Sequence, residues 1–556
     1  MPSLANRARS TESASGETFL KSHSASWSDT AILVYLALGT VLVHLLTGGQ
    51  YGFHRDELAT LHDGQHLAWG YVAYPPMTPF LGRVSVELFG LSLTGFRFFS
   101  ALANGVAVFL TGLMARELGG GRTAQLVASL AAVPFCLGAG AVMQYVSFDY
   151  LFWVLTAFFF IRLLRSGDPR WWLAVGVAIG FGMLAKYAIL FLVAGLVTGV
   201  LLSESRQDLR SKWLWYGVAL SVLIFWPNFL WQARHHFVAI DFLRGIHARD
   251  LREGWTRGFF PFQLKQTLLA IPLWLAGLYS FFFRKTRHRF RPLVWMYLVP
   301  LVLFAVWQGR GYYLAPAYPM LYAEGSVWGE QWIASLRRQW NRVARAVVWT
   351  ALLADVVVVA AIALPVAPIN TAWWKVASEL QGEYSEQLGW QELVVTLARI
   401  RDSLPAEERS HMGILAGNYG EAGAIELYGP RYQLPRAISG VNSFWQEGYG
   451  DPPPETLIVL GMSQEFAEAT FSSCEVVGHP SNRYGVINEE TRDHPDIFLC
   501  RGLRRPWPDF WKDFQYFGVV LPFVNPFYRS GAPVPVFGVY SPTVRTILPS
   551  GIPPKG

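Results

Sequence analysis

A succession of long apolar stretches constrains this chain more than any other feature. A helix of roughly 20 mostly apolar residues crosses a bilayer, with about 17 at the short end. Stretches of that kind cover Thr30–Leu46, Phe98–Met114, Ala124–Met143, Tyr150–Leu164, Trp171–Ala185 and Tyr187–Leu202. They continue over Trp213–Leu230, Thr267–Phe283, Leu293–Trp307, Leu314–Ile333 and Ala346–Leu364. The pattern predicts a polytopic α-helical membrane protein with about eleven transmembrane helices. Composition points the same way: 52% of the 556 residues are hydrophobic and 15% charged, against roughly a quarter charged in soluble proteins.

Charge placement sets the expected topology. The net charge of +7 does not signal nucleic acid, because the basic residues cluster between apolar stretches and form no single patch. Arg116 and Arg122, then Arg162, Arg165 and Arg170, then Arg206, Arg210 and Lys212 follow the even-numbered stretches. So do the Arg284–Arg291 and Arg337–Arg345 clusters. Basic loops stay in the cytoplasm, which puts the first loop, the Gln144–Phe148 turn, the Trp231–Gln266 loop and the Gln308–Tyr313 turn outside. The Arg residues within Trp231–Gln266 run against the rule, and the alternation on both sides of it carries the assignment. Met1–Ser26 is Ser-rich and polar, expected as a disordered cytoplasmic segment without a cleavable signal.

An odd number of spans leaves the C-terminus outside. From about Asn370 the chain turns polar and turn-rich. Trp390–Ser403 reads as an amphipathic helix, and Gly413–Ala416, Thr456–Leu460, Cys474–Val477 and Ile497–Cys500 as short strands. With helical Glu421–Leu427 and Gln464–Ala469 between them, a small C-terminal α/β domain is expected. Cys474 and Cys500 could pair there or stay free. The tail after Arg505 is Pro-rich with aromatic clusters, expected against the membrane surface. The domains are then 1–26, a membrane domain 27–368 with its outer loop 49–96, and an extracytoplasmic domain 369–556.

Against this topology the polar exceptions fall on one side. Asp56 and Glu57 follow the first span, in YGFHRDELATLHDGQHLAWGYVAYPPMTP from Tyr51 to Pro79. Asp149 opens the fourth span, Lys186 separates the fifth from the sixth, and Arg310 precedes the tenth in QGRGYYLAPAYP. A charge at the bilayer centre costs about 2.5–3.5 kcal/mol on insertion scales, so such residues pair or line a cavity. Taken singly, each is most simply a helix-end charge; their convergence suggests a site. Carboxylates can orient or deprotonate an acceptor hydroxyl, and cations can hold a departing lipid phosphate. Tyr312 and Tyr313 could hydrogen-bond that phosphate or stack on a sugar.

The outer-loop acidic pair, YPPMTPFLGR and FRFFSALANGVAVFLTGLMARELGG together resemble glycosyltransferase family 39. These are the dolichyl-phosphate-mannose protein mannosyltransferases and their bacterial relatives, which include lipid A aminoarabinose transferases of the GT-C fold. The resemblance runs from Thr30 to about Leu364, and LGWQELV and ILAGNYGEAGAIELYGPRY look like a bacterial subgroup's distal domain. It implies Asp56 as the catalytic acidic residue, Glu57 as its companion and Asp149 as a second outer-loop carboxylate. Lys186 and Arg310 would hold the donor phosphate, with Tyr312 and Tyr313 beside them. Relatives often carry a Lys after the Pro-Pro pair, where Met77, Thr78 and Pro79 stand here, so phosphate contacts could also shift to Arg55. The implied partners are a polyprenyl-phosphate sugar donor, the bilayer, and a lipid, glycan or protein acceptor, through an inverting transfer.

No cofactor is required by this reading. His54, His62 and His66 could bind a divalent metal, but no HExxH accompanies them, and no metal is assigned. GNYGEAG, Gly417–Gly423, reads either as an anion cradle at a helix start or as a plain tight turn. His235 and His236 read as loop residues. Two other functions compete: a transporter or lipid flippase, and a non-catalytic glycan-binding scaffold. Transporters usually place ionisable residues at the midplane and show repeated halves, and neither is visible here.

Overall fold

The computed structural model describes residues 27–517; segment 1–26 and the end of the tail, 518–556, lie outside the described residues. Each of the eleven apolar stretches is helical. In chain order the membrane domain comprises α1 (Trp27–Thr47), α2 (Arg55–Gln65), α3 (Met77–Phe89), α4 (Phe98–Glu117), α5 (Arg122–Ala139), α6 (Tyr145–Ser166), α7 (Trp171–Ala185) and α8 (Ile189–Leu201). It continues with α9 (Lys212–Arg234), α10 (Val238–Glu253), α11 (Phe259–Thr267), α12 (Ile271–Phe283), α13 (Pro292–Val306), α14 (Tyr318–Ser335) and α15 (Arg338–Ala363). Among the described residues seven helices are long and apolar enough to cross a membrane, or eight if a bent pair is one span. α7 and α13 are shorter apolar helices. The chain is a multi-pass membrane protein, and its large core is built helix on helix. Small residues bring the helices close, as expected where lipid supplies no hydrophobic drive: a Cβ on Gly176 of α7 would collide with the backbone of Gly217 in α9.

Two outer segments differ from expectation. The Trp231–Gln266 stretch is helical, because α9 continues to Arg234 and α10 and α11 follow. Gly254 and Gly258, at φ 77° and 80°, break α10 from α11 in a left-handed conformation that other residues rarely adopt. The Gln144–Phe148 turn is the first turn of α6, with Gln144 as its N-cap, so Asp149 sits inside the helix rather than at its start.

The distal domain holds a five-stranded sheet in the order β2-β1-β3-β5-β4. Its strands are β1 (Met412–Ala416), β2 (Ala437–Ile438), β3 (Thr456–Leu460), β4 (Phe471–Gly478) and β5 (Ile497–Leu503). β1 pairs in parallel with β2 and β3, whereas β5 runs antiparallel to β3 and β4. Cys474 and Cys500, opposite one another on β4 and β5, form a disulfide. Helices α16 (Trp390–Ser403) and α17 (Tyr419–Tyr428) cover the sheet. The described start of the tail packs into this domain: Trp507, Phe510, Trp511 and Phe514 are buried, and the Trp445 and Trp511 indoles each donate to the other's backbone carbonyl. Four large aromatic surfaces gain more there than at a membrane interface.

One buried ion pair joins the two parts. Glu57, wholly buried, accepts from Arg97 Nε at 2.8 Å and Nη2 at 2.7 Å, and from the His54 and Met143 amides at 2.8 Å each. Arg97 also donates to the Gly48 and Gly52 carbonyls, both at 2.9 Å, and to Gln387 Oε1 of the distal domain at 3.2 Å. Glu57 therefore does not reach a substrate as a catalytic companion; its lone pairs are consumed in holding the start of α2. Breaking such a pair strands a buried charge at about 3–5 kcal/mol. Glu57→Gln should lower the thermal stability and folded yield of the purified protein markedly, while Asp56→Asn leaves both near wild type.

The distal domain carries a second buried carboxyl. Burial, reinforced by neighbouring Glu490, pushes Glu421 up to about 8 against the amides of Asn418 and Gly417. A raised folded value stabilises fully below the unfolded value near 4.5 and loses that contribution as pH rises through about 8. Melting temperature should fall across that window, and Glu421→Gln should flatten the fall.

Candidate active site

The local sequence sets the position of Asp56 first. His54 begins α2 as its N-cap, taking the Asp56 amide on its imidazole, and Glu57 returns a bond to the His54 amide. This capping box fixes the first turn, so Asp56 projects about 100° around the helix from buried Glu57, and its side chain stays 36% exposed. Gln144 Nε2 donates to Asp56 Oδ2 at 2.9 Å, and the Tyr419 hydroxyl donates to Oδ1 at 2.9 Å.

The next residue along α6 leads to the cations. Tyr145 follows Gln144, and Lys186 Nζ lies 4.8 Å from the Tyr145 ring centre. Tyr312 at 5.2 Å and Tyr313 at 4.2 Å complete a three-ring cage around the ammonium. Lys186 sits there because α7 ends at Ala185 and the chain is extended through it before α8. Asp149, buried one turn into α6, accepts from Trp153 Nε1 at 3.0 Å and is the electrostatic partner of Lys186. Asp56, Gln144, Tyr145, Lys186, Arg310, Tyr312, Tyr313 and Tyr419 are all half-buried. They form a polar wall open to solvent, carrying a carboxylate at one end and an ammonium at the other.

Arg310 lies at this wall but is paired. Its guanidinium binds Asp250 with Nε–Oδ2 at 2.6 Å and Nη2–Oδ1 at 2.8 Å, and lies 4.7 Å over Trp255. Its charge is thereby largely cancelled, so it meets an anion only as part of an Arg–Asp unit. Arg55 is not brought to the wall. It is buried against Glu489 and, at 3.5 Å, Glu386 of the distal domain, where those carboxylates neutralise it. It cannot hold a donor phosphate without leaving two carboxylates unpaired.

Sequence reasoning missed Gln144, Tyr145, Asp250, Tyr419 and Glu383, whose Oε2 lies 4.0 Å from His54 Nε2. Asp250 had a weak signal, one of three acids in an Arg-rich stretch; Gln144 and Tyr145 had only their place before Asp149. GNYGEAG does not cradle an anion. Glu421 takes the Gly417 and Asn418 amides, and Asn418 takes the Glu421 amide, so that helix start is already occupied by its own side chains. His62 and His66 do converge, with Glu447 of the distal domain, their ligand atoms all within 4.8 Å, a set that could hold a divalent ion. Arg436 competes for the same Glu447 carboxylate. His54 stands apart from this group, engaged as the helix cap.

Residues 73–231 match the family described as dolichyl-phosphate-mannose-protein mannosyltransferase. The lipopolysaccharide core galacturonosyltransferase RgtB of Rhizobium johnstonii is 27% identical over 210 residues, covering 37% of this chain and 42% of the relative. The undecaprenyl phosphate-alpha-4-amino-4-deoxy-L-arabinose arabinosyl transferase 1 of Pseudomonas fluorescens (strain Pf0-1) is 26% identical over 247 residues, covering 41% and 42%. The match thus spans less than half the length of each of these relatives. Among solved structures, ArnT from Cupriavidus metallidurans bound to undecaprenyl phosphate superposes with a TM-score of 0.51 at 18% identity, covering 85% of this chain and 98% of that one. The chain thus shares the fold of ArnT, and its residues 73–231 are similar to the dolichyl-phosphate-mannose-protein mannosyltransferase family.

Proposed function

We propose that this protein transfers a sugar from a polyprenyl-phosphate-linked donor to an extracytoplasmic acceptor, with inversion. The observation that carries the reading is the polar wall. A partly exposed carboxylate, held at both oxygens, stands beside an ammonium in an aromatic cage, at the mouth of a membrane helix bundle. The acceptor hydroxyl attacks the anomeric carbon as the bond to the donor phosphate breaks, and its proton passes to Asp56. Polyprenyl phosphate departs as an anion, which Lys186 stabilises as a point charge while Tyr312 and Tyr313 offer hydroxyl donors. No general acid is needed, because the leaving phosphate takes no proton. Arg310, with Asp250, flanks the phosphate position, and Asp149 is the electrostatic partner of Lys186. A divalent ion at His62, His66 and Glu447 would sit on the flank of α2 beyond Asp56.

The relative named as an undecaprenyl phosphate-alpha-4-amino-4-deoxy-L-arabinose arabinosyl transferase supports the donor class. Basic connections on the opposite side of the bundle and the Cys474–Cys500 disulfide support an active site on the outer face of a bacterial inner membrane. The acceptor is a lipid, glycan or protein met at that face. Purified protein in nanodiscs, offered a panel of radiolabelled polyprenyl-phosphate sugars, should consume one donor. Asp56→Asn should lower that turnover by at least about a hundredfold without loss of folding, and Lys186→Met should lower it through weaker phosphate stabilisation. A folded wild type inert toward every donor would reject the reading.

A further inference from the structure

Tyr419 belongs to no motif that sugar transfer calls upon, yet it is one of only two side chains that hydrogen-bond the Asp56 carboxylate among the described residues. The two come from opposite directions. Gln144 reaches Oδ2 from the N-cap of α6 in the membrane domain; Tyr419 reaches Oδ1 from the first residue of α17 in the distal domain. A carboxylate gripped at both oxygens has one orientation, and its remaining lone pairs face the open side of the wall.

The distal domain is shaped to hold that contact. The capping box of Asn418 and Glu421 sets the first turn of α17. Two glycines then let α17 press against α2: a Cβ on Gly423 would lie 2.8 Å from the Leu58 carbonyl carbon, and one on Gly420 would lie 3.0 Å from Arg55 Cβ. The Arg55 guanidinium lies 5.1 Å over the Tyr419 ring and is itself tied to Glu386 and Glu489. Burial raises the phenol well above its ordinary range, with Arg55 opposing and Asp56 adding to the rise. Tyr419 is therefore a neutral O–H donor at every pH at which Asp56 could act as a base.

We propose that Tyr419 is a positioning residue of the transfer reaction: its hydroxyl fixes the orientation of Asp56, so the distal domain completes the active site rather than merely flanking it. The inference rests on the glycosyl-transfer reading above. A donor to a carboxylate favours its charged form and lowers its basicity. Removing it should free the carboxylate to rotate and make it more basic, two effects that appear in different measurements.

The test compares wild type, Asp56→Asn and Tyr419→Phe, each full-length in nanodiscs, with the polyprenyl-phosphate sugar that wild type consumes. Tyr419→Phe should lower kcat by about tenfold or more, the scale of a hydrogen bond to a charged group. KM for the donor should stay unchanged, and the acid limb of the pH profile should move to higher pH. A purely structural role would move neither the limb nor the kcat-to-KM split. Should Tyr419→Phe fold poorly, 3-fluorotyrosine at 419 keeps the shape with a stronger donor and should shift the limb to lower pH. If wild type is active, Asp56→Asn inactive, and the Tyr419 variants match wild type in kcat and pH profile, the proposal is overturned and the transfer reading stands. If folded wild type consumes no lipid-phosphate sugar, both fall together.

Discussion

The buried Glu57–Arg97 pair is the contact on which the rest of this arrangement depends. Two charges inside a protein are tolerated only when their hydrogen-bonding capacity is filled, and here it is filled from five directions. Arg97 binds the end of α1 through Gly48, the following loop through Gly52 and the distal domain through Gln387; Glu57 binds the start of α2 and the Met143 amide before α6. Asp56 is the preceding residue in the chain, so whatever fixes Glu57 aims Asp56. Adjacent carboxylates thus differ, one buried and consumed by structure, the other left partly exposed.

The two cations beside Asp56 differ in the same way. Lys186 is enclosed by aromatic faces, which attract a cation without neutralising it, and its ammonium keeps the capacity to meet an anion. Arg310 is engaged by Asp250 through two nearly parallel hydrogen bonds, the strong geometry for a guanidinium. One cation is thus caged by aromatic rings with Asp149 as its electrostatic partner, and the other is held in a bidentate pair with Asp250. The α10–α11 segment, which supplies Asp250 and Trp255, is therefore part of the site's electrostatics and not a passive connection.

The membrane and distal domains are not separate bodies joined by a linker. Phe53, Leu58, Leu61 and Phe96 share one apolar core with Leu393, Val394, Ile414 and Leu460. α17 packs directly on α2, allowed by the missing side chains of Gly420 and Gly423. Arg55 crosses the same boundary into Glu386 and Glu489. Any movement of the distal domain would thus disturb both the ion pairs around Arg55 and the grip on Asp56.

The membrane architecture was legible in the sequence because lipid imposes a one-dimensional rule: a span must be apolar over its whole length; all eleven stretches are helical, but among the described residues only seven or eight helices are long and apolar enough to cross. Among the distal elements Thr456–Leu460 and Trp390–Ser403 were legible to the residue, whereas β4 and β5 run longer than expected and the two-residue β2 was not read at all. Asp56, Asp149 and Lys186 could be singled out because charge beside apolar runs is costly and therefore conspicuous. What each charge touches could not be read, because partners lie far away in sequence: Arg97 is 40 residues from Glu57, and Tyr419 is 363 from Asp56. The sequence placed Glu57 beside Asp56 as its companion and Arg55 as a possible phosphate contact; the fold turned both inward while leaving Asp56 partly exposed. Composition and local pattern decide which segments enter the membrane and which residues are expensive to place; long-range packing decides which of those residues are spent on structure and which remain free to act.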